Sequence, residues 1–300
     1  MPFLYMPDDG ITYQIKSGDF KDLARALTRV ENELPGSREL LHNLVPSAKC
    51  TVLGITGPPG AGKSTLVNGL INRLSTAGKR VAVVAIDPTS PFNMGSLLGD
   101  RIRMSEQFNK PNVYIRSLAT RGSLGGLSAK TIEIVDVLRS AGFDYVLVET
   151  VGVGQSEVEI VGLADITIVV LVPESGDEIQ SIKSGLMEIA DIFVVNKADR
   201  DGAQTFANNL KKLVHQKAGH IPVLMTVADR SEGIGELMAA IESQSKVENH
   251  HRPLLLAEKA WRLIQQRRMD GVDKKKLQRD IAEASKNADF NLYRFVEGLV

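Results

Sequence analysis

The chain has one cysteine in 300 residues, Cys50, so it can hold neither an internal disulfide framework nor a zinc site built from cysteines alone. A lone thiol suits a reducing compartment. Charge of one sign is also missing: Lys+Arg and Asp+Glu are 36 each. That balance argues against a protein whose main work is coating nucleic acid or an anionic membrane. No apolar run approaches the roughly 20 residues of a membrane span, and the longest strand-like one is Ile166–Val172. The start, MPFLYMPDDG, lacks the basic and apolar regions of a secretory signal, so a cytoplasmic protein is expected. What remains is ordinary for a globular chain with a sizeable core: 43% hydrophobic and 24% charged residues.

Phe20, Leu23, Leu27, Val30 and Leu34 recur at helical spacing, which predicts a helix over Ser17–Leu34 with Ser17 as cap and Pro35-Gly36 as stop. A shorter helix is expected over Ser37–Leu44. From Lys49 the texture changes to apolar, β-branched runs: Thr51–Thr56, Arg80–Asp87, Tyr145–Thr150, Ile166–Val172, Asp191–Asn196 and Pro222–Thr226. Runs without alternation are strands covered on both faces. With helical or loop segments between them they predict an α/β fold with a mostly parallel sheet, whose ligands bind beyond the strands' carboxyl ends. After Ser245 the strands stop. A polar linker, a helix over Leu254–Arg268 and a last helix over Asn291–Leu299 follow, with the basic run Lys274–Lys276 as a solvated helix face. The expected organisation is a helical extension over 1–48, the α/β domain over 49–245 and a helical arm over 246–300.

Gly57-Pro58-Pro59-Gly60-Ala61-Gly62-Lys63-Ser64-Thr65 fits G-x-x-x-x-G-K-[ST] between an apolar strand and an amphipathic helix. The prolines have no N–H, so the phosphate cradle has to come from the amides of Gly60 through Thr65, aided by the helix dipole. Lys63 would neutralise the β- and γ-phosphates, and the Ser64 hydroxyl would serve Mg²⁺. Asn196-Lys197-Ala198-Asp199 ends a later strand as N-K-x-D. A carboxylate there accepts both guanine N1–H and its amino group; adenine lacks that donor pair and would leave Asp199 desolvated and unpaired. Asn196 would tie this loop to the phosphate loop, and the Lys197 stem would stack on the base. Thr226-Val227-Ala228 stands where GTPases commonly have Thr-Ser-Ala. Val227 has no hydroxyl, so a base contact from Val227, Ala228 or Asp229 has to use backbone amides.

Glu149-Thr150-Val151-Gly152 stands where many GTPases have Asp-x-x-Gly, and Glu149 keeps the charge needed to hold Mg²⁺ directly or through water. Asp87 ends a strand and Asp100 lies in the loop after it. Both can approach a hard cation, the alternative for Asp87 being an Asp-Pro turn or helix cap. Val153 stands where Ras-like enzymes have a water-orienting glutamine; the nearest glutamine is Gln155. Slow hydrolysis by the isolated chain is therefore expected, with a completing cation drawn from Arg101, Arg103, Arg116, Arg121 or Lys183. Lys183 is favoured because it follows a buried strand in a polar loop at the nucleotide edge.

GITGPPGAGKST, AIDPTSPFNMGSLLGDRIRM, VETVGVGQSE and VPESGDEIQSIKSGLMEIADIFVVNKAD, in this order, resemble the MeaB/ArgK family of GTPases, relatives of the human methylmalonic aciduria type A protein. The resemblance is dense from Gly54 to Asp199. It implies a P-loop G domain of the SIMIBI class and a homodimer held largely by C-terminal helices. It also implies a GTPase chaperone that gates cofactor loading on, and protects, an adenosylcobalamin-dependent acyl-CoA mutase, methylmalonyl-CoA mutase by default. Carried over by position, Gly57–Thr65 bind phosphates, Ser64, Asp87, Asp100 and Glu149 serve Mg²⁺, and Asp199 reads guanine. Residues 174–188 would sense GTP or GDP and contact the mutase. Three rivals stay open, one of them a purely structural GTP-binding scaffold that would need no hydrolysis. A nickel-handling metallochaperone GTPase should carry Cys/His clusters, whereas this chain offers His250-His251 in a linker. An ATP-dependent kinase of a transport system conflicts with N-K-x-D.

Overall fold

The computed structural model describes residues 5–8, 11–14, 20–87, 104–119, 129–150, 160–176, 187–217, 221–244, 252–269, 271–287 and 289–299. Seven strands form one parallel sheet: β3 (Thr51–Thr56), β4 (Val81–Asp87), β5 (Val113–Ala119), β6 (Tyr145–Glu149), β7 (Ile166–Leu171), β8 (Ile192–Val195) and β9 (Val223–Met225). Their order is β5-β4-β6-β3-β7-β8-β9. The phosphate-loop strand β3 thus lies between β6 and β7, where the chain's direction across the sheet reverses. Such a switch point opens a crevice at the strands' carboxyl ends. Two short strands, β1 (Tyr5–Asp8) and β2 (Ile11–Gln14), pair separately as an antiparallel hairpin.

Both faces of the sheet are covered, which is why its strands read as unbroken apolar runs. On one face Val52, Val84, Val146 and Val148 meet Leu23, Leu27 and Val30 of α1 (Phe20–Glu31), and Ile134 and Leu138 of α4 (Ala129–Ser140). Helix α2 (Ser37–His42) packs on α1 and buries Leu40 in the same layer. On the other face Leu53, Ile55, Val83, Leu147 and Ile168 meet Leu66, Leu70 and Ile71 of α3 (Lys63–Thr76). Val169, Leu171, Phe193 and Val195 pack on Phe206, Leu210 and Val214 of α5 (Ala203–Lys217). α6 (Ile234–Gln244) adds Leu237 and Ile241 to the α3 layer. Fully burying one such side chain is worth about 1.5–3 kcal/mol.

Helix α1 is tied down by charge as well. On β5, the Arg116 guanidinium pairs with Glu31 and donates to Thr28 Oγ1 at 3.2 Å. Lys130 bridges Glu33 at 2.6 Å and Glu133 at 2.9 Å. Arg116 was a candidate cation for hydrolysis; its partners show it holding α1 to the sheet instead.

The chain divides into two compact units, 1–259 and 260–300. α7 (Arg252–Met269) runs across that boundary. Within the second unit, α8 (Lys274–Ala284) is capped by Asp273, whose carboxylate accepts from the amides of Lys275 and Lys276. α9 (Leu292–Glu297) is capped in the same way by Asn291. The Lys274–Lys276 run therefore opens a helix, in line with its reading as a solvated helix face.

Two further differences from the sequence reading concern strands. β5 is missing from the expected strands because Tyr114, Arg116 and Ser117 interrupt its apolar run, as an edge position allows. The hairpin β1–β2 is legible in Asp9-Gly10, the turn dipeptide between Asp8 and Ile11, but its two strands are only four residues each and too short to stand out as apolar runs. The expected N-cap Ser17 lies outside the described residues, as do Asp100, Val151–Val153, Gln155, Lys183, Arg101, Arg103 and Arg121. Among the described residues no helix is long and apolar enough to cross a membrane.

Candidate functional site

The turn between β3 and α3 is shaped by two glycines that no other residue could replace without rearrangement. Gly57 has φ +138°, and a Cβ there would lie 2.0 Å from the Val170 carbonyl oxygen. Gly62, the α3 N-cap, has φ +86°, and a Cβ would meet Asn196 Nδ2 at 2.3 Å. No side chain caps α3, so its first-turn N–H groups are available to an anion. One amide of the expected cradle is committed elsewhere: Ala61 N–H donates to the Pro58 carbonyl at 3.3 Å. Ala61 is fully buried and acts through its carbonyl. Gly60 is open to solvent on its side-chain side, and Pro59 and Thr65 are exposed.

Lys63 is buried, and its ammonium donates to the carbonyls of Gly57 at 2.9 Å and Pro58 at 3.0 Å. Next to it, the Ser64 hydroxyl donates to Glu149 Oε1 at 2.6 Å. Glu149 ends β6, opposite Ile55 of β3 and Ala85 of β4, and is only 6% exposed. Two oxygens on neighbouring positions of an octahedral Mg²⁺ lie about 2.9 Å apart, so this pair fits a hard cation with a shift of tenths of an ångström. Asp87 ends β4, two residues beyond the position paired with Glu149. The next residue after β6, Thr150, bonds through its hydroxyl to Thr56 Oγ1 at 3.0 Å and through its amide to the Ile55 carbonyl.

The loop after β8 sits against the phosphate loop. Asn196, 2% exposed, donates from Nδ2 to the Ala61 carbonyl at 2.9 Å. Its Oδ1 accepts from Thr226 Oγ1 at 3.0 Å and from the Ala228 amide at 3.2 Å. Lys197 adopts φ +56° and its ammonium bonds to the Gly60 carbonyl at 2.7 Å. Asp199 is more exposed and pairs with Arg230 at 3.5 Å.

The turn after β9 departs from expectation. The Ala228 amide is held by Asn196, and the Val227 amide donates to the Glu232 carbonyl at 3.1 Å. Two of the three amides suggested for base contact therefore already have partners within the protein, and the Val227 side chain is buried. Asp229, on the same 3-10 turn, is exposed. Sequence reading missed Thr226, whose buried hydroxyl stands one position before Val227, and Arg230, whose guanidinium meets Asp199.

Residues 23–280 match the family described as methylmalonyl Co-A mutase-associated GTPase MeaB. The chain belongs to the MeaB family. The family is associated with methylmalonyl-CoA mutase, and its members here are named as GTPases. A GTPase of Pyrococcus horikoshii is 47% identical over 80% of this chain and 78% of its own. GTPase ArgK of Escherichia coli is 39% identical over 76% and 73%. The mitochondrial methylmalonic aciduria type A homolog of Mus musculus is 34% identical over 81% and 66%. Among solved structures, a LAO/AO transport system kinase superposes with TM-score 0.68 at 26% identity, over 95% of this chain and 93% of that one. HypB from Helicobacter pylori in complex with nickel matches at TM-score 0.50 and 18% identity over 75% and 95%, a likeness of fold. The MeaB chain thus has the SIMIBI-class P-loop architecture expected of it.

Proposed function

We propose that this chain binds GTP and GDP with Mg²⁺ at the carboxyl edge of its sheet. We further propose that GTP turnover gates cofactor loading on, and protects, an adenosylcobalamin-dependent acyl-CoA mutase. Methylmalonyl-CoA mutase is the first candidate, because the family's description names it. The observation that carries the nucleotide half is the meeting of Ser64 with Glu149 at 2.6 Å beside a phosphate loop that Asn196 holds.

In this reading Gly57–Thr65 wrap the phosphates, with the α3 first turn supplying amides. The Lys63 ammonium exchanges two neutral carbonyls for charged phosphate oxygens, which are stronger partners. Ser64 and Glu149, joined by Asp87 and Asp100, hold Mg²⁺. The metal, when bound, draws charge from the β- and γ-phosphate oxygens. Asp199 takes the guanine edge, Lys197 covers the base and Asn196 keeps the two loops in register. The Asp229 amide is the remaining candidate for contact in the turn after β9. With Val153 in place of a water-orienting glutamine, free protein hydrolyses slowly. Mutase binding brings Lys183 to the phosphates, where a cation stabilises the developing charge. The chain works as a homodimer through residues 246–300.

The experiment is GTP turnover by wild type and Lys183→Ala, each alone and with purified cobalamin-dependent mutases. Wild-type turnover rises with the cognate mutase and that rise is lost in Lys183→Ala. No acceleration by any such mutase ends the chaperone reading; acceleration intact in Lys183→Ala ends only the role of Lys183. Asp199→Asn should lose GTP affinity by about tenfold or more and gain XTP.

A further inference from the structure

We propose that Arg230 is a specificity-determining positioning residue that holds the Asp199 carboxylate ready for guanine. The proposal rests on the reading of Asp199 as the guanine acceptor.

Position 227 is a buried valine, and the Thr226 hydroxyl is used by Asn196. The group facing Asp199 is Arg230, with its Nη2 3.5 Å from Oδ2. Arg230 is itself fixed in place at the backbone. Its amide donates to the Val227 carbonyl at 3.0 Å, and Val227 and Glu232 exchange both amide bonds across the turn. The guanidinium therefore projects from a closed, hydrogen-bonded 3-10 turn (Ala228–Arg230) rather than from a loose loop.

The residue after Asp199 pairs in the opposite direction. Arg200 meets Glu174, in the 3-10 turn Pro173–Gly176 that follows β7, and that bond holds the Glu174 carboxyl below the usual range. Two consecutive residues of the β8 loop are thus stapled to the loops on either side, those of β7 and β9. Adjacent strands carry all three turns.

Guanine asks for both carboxylate oxygens in one plane, and a carboxylate has about four acceptor sites. An arginine at Oδ2 leaves acceptor sites for N1–H and the amino group while restricting rotation of a side chain that is 37% exposed. Ordering that rotamer before the base arrives removes a cost from binding. The gain has to be modest, because exposed ion pairs are weak.

The test is affinity for GDP and IDP in wild type, Arg230→Ala, Arg230→Gln, Arg230→Lys, Asp199→Asn and the double variant Arg230→Ala/Asp199→Asn. IDP lacks the amino group, so it engages Asp199 through one bond. Arg230→Ala should weaken GDP by about three- to fivefold, the scale of an exposed pair. IDP should weaken less, so the GDP/IDP ratio falls. Arg230→Lys should recover part of the ratio, and Arg230→Gln guards against a folding defect peculiar to alanine. In Asp199→Asn, removing Arg230 should cost nothing further. An unchanged or raised GDP/IDP ratio in Arg230→Ala overturns the proposal, as does tighter GDP binding, which would mean that the arginine competes with the base. If Asp199→Asn itself keeps GDP affinity, guanine reading by Asp199 fails and this proposal fails with it. If Asp199→Asn switches to XDP while Arg230→Ala is silent, only Arg230 is refuted.

Discussion

Asn196 uses both ends of a buried amide to join three segments of chain: the phosphate loop at Ala61, the end of β9 at Thr226 and the turn at Ala228. Removing it strands a carbonyl, a hydroxyl and an amide, and each buried polar group left unpaired costs about 1–3 kcal/mol. Asn196→Ala should therefore lower the thermal midpoint and weaken GDP together, read by calorimetry and nucleotide titration. Asn196→Asp should be no milder, because a carboxylate oxygen would then face the Ala61 carbonyl. Glu149→Ala has a different expected signature. It removes the partner of the Ser64 hydroxyl and leaves the loop's backbone amides and Lys63 in place, so GDP affinity should stay nearly intact while hydrolysis slows by about tenfold or more. Equal turnover in Glu149→Ala would remove Glu149 from the metal site.

At the scale of elements, the carboxyl edge works because β3, β6, β7, β8 and β9 end side by side. Helix α1 contributes to that edge only from a distance, by covering the opposite face. Its Leu27 is fully buried against the sheet. Leu27→Ala should cost about 2–5 kcal/mol, the range for a buried leucine that leaves a cavity. The measurement is the urea midpoint, with GDP affinity of the folded fraction unchanged. A loss below about 1 kcal/mol would mean that α1 packs as a detachable appendage rather than as part of the core. The sequence alone leaves this open, since an amphipathic stripe shows that a face is covered but not by what.

For the molecule as a whole, Cys50 reports opening. It is 2% exposed at the entrance to β3, and burial pushes its thiol from 9.0 up to about 12. Thiolate is the reactive form, so native protein at pH 8 should resist thiol reagents until it unfolds. Rapid labelling under native conditions would show that the α1 side of the sheet opens locally. The sign for stability follows from the raised value. The contribution is full below pH 9 and is lost as pH rises towards 12. The proposed dimer is tested at this scale too. Trp261 and Tyr293 are 58% and 79% exposed in the single chain. Trp261→Ser should raise the monomer fraction in sedimentation, with GDP affinity per protomer unaltered. Wild-type protein that sediments as a monomer at all concentrations would refute the dimer.

The sequence by itself determined the parallel α/β architecture, because strands buried on both faces must be apolar without alternation. It also determined where the phosphate loop and the N-K-x-D loop lie, because each motif is a continuous run of fixed spacing at the end of a strand. Edge strand β5 escaped it, since an edge tolerates Arg116 and Ser117 where a central strand would not. Only the tertiary structure decided what lies between runs distant in sequence. It brought Ser64 to Glu149, gave the amides of Val227 and Ala228 to partners within the protein, spent Arg116 on Glu31 and set Arg230 against Asp199. The physical reason is that a side chain's partner is chosen by distance in space. A sequence shows which groups need partners; it leaves open which of several suitable groups the fold brings into contact.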